Sequence, residues 1–331
     1  MKLLRHGAFG KEKPGILDQN GSIRDLSDHL SDINGETISE NSLKKISSID
    51  LSSLPIVSDD TRLGACVGNV GKFLCIGLNY SDHAAESGMA VPSEPILFSK
   101  ATSAIVGPND NIEIPRNSVE TDWEVELGII IGKKAKYINE NDANDYIAGY
   151  CLVNDVSERE FQLKKEGQWT KGKSCDTFGP TGPYLVTKDE IADVQKLKMY
   201  LDVNGKRMQD GSTNTMIFSA AYIVYYLSQF MSLNPGDIIE TGTLNHAACS
   251  CVAAAIDFIS SLGNGTSIRD RLESAYVYIG EHEFKLAKYL HDSLQKFKKT
   301  TVIGPDFSTR TRTPTVSFTH SEYSPKEICR M

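Results

Sequence analysis

Asp122-Trp-Glu-Val-Glu-Leu-Gly-Ile-Ile-Ile131 places two acids, Glu124 and Glu126, two residues apart just ahead of an apolar run. The run predicts a buried strand, and alternation along a strand turns both carboxylates the same way. Like charges held side by side in a partly buried place repel unless something neutralises them. A hard divalent cation such as magnesium does so, because it prefers oxygen ligands. A third acid, Asp155, ends a second apolar run, Gly149-Tyr-Cys-Leu-Val-Asn-Asp-Val156. Glu124, Glu126 and Asp155 therefore form a candidate metal site with positions left open for a substrate. For an arbitrary Glu-x-Glu, two solvated acids on an edge strand are the simpler reading. The apolar runs argue against it here.

Two further groups have chemical character. His83 and Glu86 lie in Asn79-Tyr-Ser-Asp-His-Ala-Ala-Glu-Ser-Gly88. Three residues apart on a helical turn, they share a face. A carboxylate beside an imidazole fixes its tautomer and raises its basicity, so the pair can take a proton from water. A His-x-x-Glu pair standing alone is usually structural. Lys173, in Gln168-Trp-Thr-Lys-Gly-Lys-Ser174, is Gly-flanked on a loop. It is placed to hold an anion or a developing oxyanion, with a solvated loop lysine as the alternative.

A chain of 331 residues has room for about two domains. A net charge of -8 without a basic face excludes a nucleic-acid binder. No apolar run reaches the length of a membrane span, and Met1-Lys-Leu-Leu-Arg-His lacks a secretory core, so a cytoplasmic location is expected. The seven cysteines are an odd number and scattered, which reads as reduced thiols. His246, Cys249 and Cys251 cluster, but no second cysteine pair completes a tetrahedral zinc site.

Short strand-like runs fill the middle of the chain: Phe73–Ile76, Ile96–Phe98, Glu126–Ile131, Ile147–Val153 and Met199–Val203. Lys2–Arg5 and Gly15–Asp18 predict strands in a small leading unit, with a turn at Asn20-Gly21. Asn214 to Leu233 has helical spacing, with Ser212 or Thr213 as its cap. After Thr243 the pattern turns helical. A helix is expected over His246–Leu262, and another over Ser267–Phe297, broken near Gly280. Strands follow at Thr301–Ile303 and Thr315–Thr319. The change of style at one point marks a domain boundary.

Taken together, Ile76-Gly-Leu-Asn-Tyr80 with His83 and Glu86, Glu94-Pro-Ile-Leu-Phe98, Trp123-Glu-Val-Glu126, Asn154-Asp-Val-Ser157, Gly172-Lys-Ser174 with Thr177, and Gly236-Asp-Ile-Ile239 resemble the fumarylacetoacetate hydrolase family. The resemblance spans about residues 1–243. Its opening and Gln168–Lys173 are similar to bacterial members acting on sugar-derived diketo acids, some labelled ureidoglycolate lyase. It implies an α+β fold built on a mixed β-roll, usually dimeric, holding magnesium or manganese. Glu124, Glu126 and Asp155 stand at the family's metal-ligand positions. His83 and Glu86 stand at its water-activating dyad. Gln162, Lys173 and Thr243 match substrate-side positions.

From Glu240-Thr-Gly-Thr-Leu-Asn-His246 onward the chain instead resembles the cysteine-desulfurase-like branch of class V aminotransferases. Ala253–Phe258, Arg269–Leu272 and Arg312–Phe318 carry that likeness. Those enzymes attach pyridoxal phosphate to a lysine upstream of this signature. Here the upstream region is hydrolase-like, so pyridoxal phosphate is not expected. The resulting organisation is a small N-terminal domain (1–65), a metal-dependent roll (66–243) and an aminotransferase-like fragment (244–331). The roll, lacking its usual closing strands, is expected to leave a sheet edge for the tail or another subunit to cover.

The function these readings imply is hydrolysis of a carbon–carbon bond in a short 2,4-diketo acid, giving pyruvate and a carboxylic acid. The expected partners are that oxo acid and a second copy of the chain in a homodimer. A decarboxylase, isomerase or ureidoglycolate lyase on the same apparatus is the runner-up. A non-catalytic chimera is the reading from a different class.

Overall fold

The computed structural model describes residues 1–87, 90–244, 255–308, 313–328 and 330, with the side chains of 85–87 left aside. Its contacts divide the chain into two compact units, Met1–Cys249 and Ser250–Met331.

The first unit is built on a ten-stranded mixed sheet. Its strands are β1 (Lys2–His6), β2 (Lys13–Leu17), β3 (Ile23–Asp25), β4 (Phe73–Gly77), β5 (Ile96–Lys100), β6 (Ile105–Val106), β8 (Val125–Ile131), β9 (Ile147–Asn154), β11 (Gly179–Thr187) and β14 (Ile238–Thr243). The order is β3-β2-β1-β11-β9-β8-β14-β4-β5, with β6 pairing β11. The β14–β4 and β6–β11 pairs are parallel, the others antiparallel. Two small ribbons stand apart, β7 (Thr121–Asp122) with β10 (Ser157–Glu158), and β12 (Lys198–Val203) with β13 (Lys206–Ser212).

The continuous apolar run of β8 exists because both faces of the sheet are covered. Ile129 and Ile131 pack with Ile223, Val224 and Leu227 of the helix Ala220–Ser228. Ile130, one step on, turns to the other face and packs with Leu3, Ile16, Leu26 and Ile33. Glu126 shares the parity of Ile130, and Gly128 between them cannot be larger. A Cβ there would lie 2.7 Å from Cys151 Sγ. Residues 1–65 therefore supply β1–β3 to one end of the sheet, through Leu3 opposite Leu185, and half of a core.

Three local expectations change. The helix expected over 214–233 is Ala220–Ser228, and its cap is Ser219, which accepts from Tyr222 N at 3.1 Å. Ser212 instead caps the short turn Thr213–Thr215. The reason is Asn79, which holds Phe218 through N–H to Oδ1 (2.7 Å) and Nδ2 to carbonyl (3.0 Å), keeping that stretch extended. Second, the sheet edge expected from the missing closing strands is now placed: the described edge strands are β3 and β5, while β14 is flanked by β8 and β4.

The third change is in the second unit. The helix Ile268–Leu294 runs unbroken through Gly280. One mid-helix glycine costs only about 1 kcal/mol. Against it stand a capping box at Ser267 and Asp270 and the pairs Arg269–Glu273 and Lys288–Asp292. Residues 255–260 are helical, while 245–254, including His246, Cys249 and Cys251, lie outside the described residues. β15 (Thr300–Ile303) and β16 (Ser317–His320) pair with each other. Phe307 sits edge-on to Phe284 and His291.

Candidate metal centre

β8 and β9 are antiparallel neighbours with Val125 opposite Asn154. That register brings Glu124, just ahead of β8, and Glu126 within it beside Asp155, just past the end of β9. One carboxylate oxygen from each lies within 4.8 Å of the others. Two oxygens on one cation at 2.0–2.6 Å are at most about 4–5 Å apart, so the trio has the span of one coordination sphere. All three are buried, at 5%, 2% and 0% exposure. An all-carboxylate donor set fits a hard divalent cation.

The surroundings show what this costs without such a cation. Lys173 donates to Glu124 Oε2 (2.7 Å) and Asp155 Oδ2 (2.6 Å). Lys100, fully buried at the end of β5, donates to the other Asp155 oxygen and to Val156 O (3.1 Å). Arg159 meets Glu124 Oε1 at 2.6 Å and Asp122 Oδ2 at 2.8 Å. Burial alone would push Lys173 down, but Asp155 and Glu124 outweigh it and hold its ammonium above the usual lysine range.

Glu126 has only Gly242 N (2.8 Å) as a described hydrogen-bond partner. Burial, then the charges of Glu240, Asp155 and Glu124, drive its carboxyl well above the usual range. Glu240 lies on β14 beside Cys75 of β4, and ligand atoms of Cys75, Asp155 and Glu240 also come within 4.8 Å of one another. Burial and the Asp155 charge push Glu240 up to about 8. Burial and the charge of Glu240 likewise raise the Cys75 thiol. Lys100, Lys173 and Arg159 thus face the carboxyls of Asp122, Glu124, Glu126, Asp155 and Glu240. The acids outnumber the bases by two, which is the charge of one divalent cation.

Glu124 and Glu126 of the trio line a cavity of about 220 Å³. His83, Gln162, Lys173 and Thr243 all line it. Gln162, buried, accepts from Arg159 Nη1 at 3.0 Å. Thr243 Oγ1 accepts from Gln209 Nε2 at 2.8 Å, and Gln209 Oε1 takes the N–H of Val125 at 2.8 Å. His83 stands on the helix Ser81–Ser87. The backbone of Glu86 belongs to that helix, but its side chain lies outside the described ones.

Sequence reasoning missed Arg159, Lys100, Glu240 and Gln209. Arg159 had a signal, standing four residues past Asp155. Glu240 directly precedes Thr241-Gly242-Thr243 and shares a strand parity with Gly242. Lys100 reads as an ordinary strand-end lysine, and Gln209 sits in a polar hairpin, so neither announces its burial.

A large mixed sheet carrying clustered buried acids beside a small cavity defines the class as a mixed α/β fold with a candidate metal centre. The fumarylacetoacetate (FAA) hydrolase C-terminal family matches residues 72–276, and this chain belongs to it. A Burkholderia ambifaria protein whose name goes no further than hydrolase is 60% identical over 243 residues, 73% of this chain and 86% of its own. Among solved structures, a fumarylacetoacetate hydrolase from psychrophilic Exiguobacterium antarcticum is 34% identical, covers 73% of this chain and 86% of that one, and has a TM-score of 0.65. A 2-hydroxyhepta-2,4-diene-1,7-dioate isomerase from Mycobacterium marinum is 31% identical over 74% of this chain and 88% of that one, TM-score 0.56. Maleylpyruvate hydrolase from a Sphingobium species, in complex with manganese(II) and pyruvate, is 26% identical over 74% of this chain and 89% of that one, TM-score 0.63. The family match runs past Thr243 to residue 276, into the segment expected to resemble an aminotransferase.

Proposed function

We propose that the chain is a divalent-cation-dependent hydrolase of short 2,4-diketo acids, R–CO–CH2–CO–COO⁻, releasing R–COOH and pyruvate. The observation that carries this reading is the buried trio Glu124, Glu126 and Asp155, of which Glu124 and Glu126 line a cavity shared with His83 and Lys173. Those three carboxylates would hold the cation, magnesium or manganese, which supplies Lewis acidity at the 2-oxo acid end of the substrate.

The remaining roles fall to the chain's own side chains. His83, oriented by Glu86 three residues on, takes a proton from water, whose oxygen bonds to the distal carbonyl carbon. The C–C bond then breaks and its electron pair stays on the CH2 carbon, which a proton converts to the methyl of pyruvate. Lys173 balances the charge that develops on the pyruvate fragment. Gln162 and Thr243 orient the substrate from the cavity wall.

Without a placed water the same groups would decarboxylate or isomerise an oxo acid. The likeness to a Mycobacterium marinum isomerase supports keeping that second reading. The test is pyruvate release from acetylpyruvate, with and without chelator, in the natural chain and in Glu126→Ala and His83→Ala. Release should need the cation and fall at least about a hundredfold in each variant. Turnover unchanged by chelation and by Glu126→Ala refutes the reading. Cation-dependent loss of CO2 from oxaloacetate surviving in His83→Ala, without acetylpyruvate cleavage, favours the second.

A homodimer in the cytoplasm is part of this proposal. So is the reading of residues 244–331 as an aminotransferase-like piece that carries no pyridoxal phosphate lysine; residues 1–65 and 66–243 belong to one compact unit and share one sheet. The sequence signature from Glu240 supports that last reading.

A further inference from the structure

We infer that the cavity selects an oxo acid whose far end is short and uncharged. This deepens the oxo-acid reading above and rests on it. The polar lining is Glu124 and Glu126 with Arg159, Lys173, His83, Gln162 and Thr243 around them. The rest of the wall is apolar, formed by Phe98, Trp169, Leu163 and Ile76. Phe98 and Trp169 meet edge to face at 5.3 Å. The indole is seated against the end of β4, where Gly77 leaves room for it. A Cβ at Gly77 would lie 2.6 Å from a Trp169 ring carbon.

Among the described lining residues, no cation is available to a second carboxylate. Lys173 is committed to Glu124 and Asp155, with its ammonium 5.3 Å from the Phe98 ring centre. Arg159 is committed to Asp122 and Glu124. The segment 73–99, which brings Ile76, His83 and Phe98 to the cavity, contains no lysine or arginine but does contain Asp82, Glu86 and Glu94. His83 is the remaining titratable group there and is assigned to the water. A terminal carboxylate entering this end would lose hydration with nothing to replace it. At about 220 Å³ the space is below the roughly 300–1,000 Å³ of drug-sized sites, so the chain beyond the second carbonyl is short.

The test compares 2-oxohexanoate with 2-oxoadipate, which have equal carbon counts and differ in the terminal carboxylate of the second. Their binding to the full chain with saturating magnesium is measured by calorimetry. We expect 2-oxohexanoate to bind at least about tenfold tighter. Leu163 is 57% exposed at the cavity, so Leu163→Lys places an ammonium there without disturbing the core. It should shrink the preference by about tenfold. Equal or tighter binding of 2-oxoadipate, binding of neither, or a ratio unmoved by Leu163→Lys overturns the inference. Acetylpyruvate cleavage is scored separately. A clear preference without cleavage removes the hydrolase reading alone, and cleavage without a preference removes this inference alone.

Discussion

Replacing Glu126 by glutamine should stabilise the cation-free protein while abolishing its response to magnesium. The side chain keeps its shape and its acceptor for Gly242 N, which donates at 2.8 Å. What changes is one charge, 2% exposed and surrounded by Glu124, Asp155 and Glu240. In the natural chain that charge is an expense unless a cation sits among the three ligands. Saturation at a hundred times the dissociation constant adds about 2.7 kcal/mol to the folded state. For a unit the size of Met1–Cys249, each kcal/mol moves the melting temperature by about 2–4 °C. Magnesium should therefore raise the natural chain's melting temperature by roughly 5–11 °C. In Glu126→Gln the cation-free melting temperature should match or exceed the natural one, with a magnesium shift below about 2 °C. Differential scanning calorimetry in chelator and in millimolar magnesium reads both arms. A glutamine variant several degrees less stable in chelator would show the carboxylate to be structural, and the charge argument would fail.

The same excess of acid gives a pH dependence of definite sign. Burial and the Asp155 charge put Glu240 at about 8 in the fold against 4.5 in the open chain, and Glu126 moves the same way, so the fold holds protons the unfolded chain has released. The cation-free protein should thus lose stability as pH rises from about 4.5 to about 8, and magnesium should bind more weakly at the acid end because it displaces those protons. Urea midpoints in chelator that rise steadily over this interval would contradict it. Gly242→Ala attacks the support of the site. Its φ of +100° and a Cβ only 2.8 Å from Asn79 Cβ make alanine strained, and Asn79 is pinned by Phe218 and Thr241. We expect about 1–3 kcal/mol lost and weaker magnesium binding through the displaced donor to Glu126. A midpoint within about 0.5 kcal/mol of the natural chain would show that the turn yields freely.

What the sequence revealed of this site follows from how each residue earns its place. Glu124, Glu126 and Asp155 were legible because acids abutting apolar runs contradict ordinary burial, and strand alternation then fixes their direction. The register that joins them, Val125 opposite Asn154, is a long-range pairing with no local signature. The helix cap moved from Ser212 to Ser219 for a similar reason, since a distant asparagine, Asn79, fixes Phe218. The cations around the trio were harder still. Lys100 sits on an edge strand whose alternation in burial admits a lysine on either face, and only the tertiary fold turns it inward onto Asp155. Yet these cations decide the electrostatics. With Lys100, Lys173 and Arg159 in place, the five acids Asp122, Glu124, Glu126, Asp155 and Glu240 lack two positive charges rather than five, so a divalent cation would complete the centre without overcharging it. Three acids in a sequence indicate that a cation binds. The basic residues folded around them set how much charge that cation must bring, and a monovalent ion would leave a buried carboxylate unmatched.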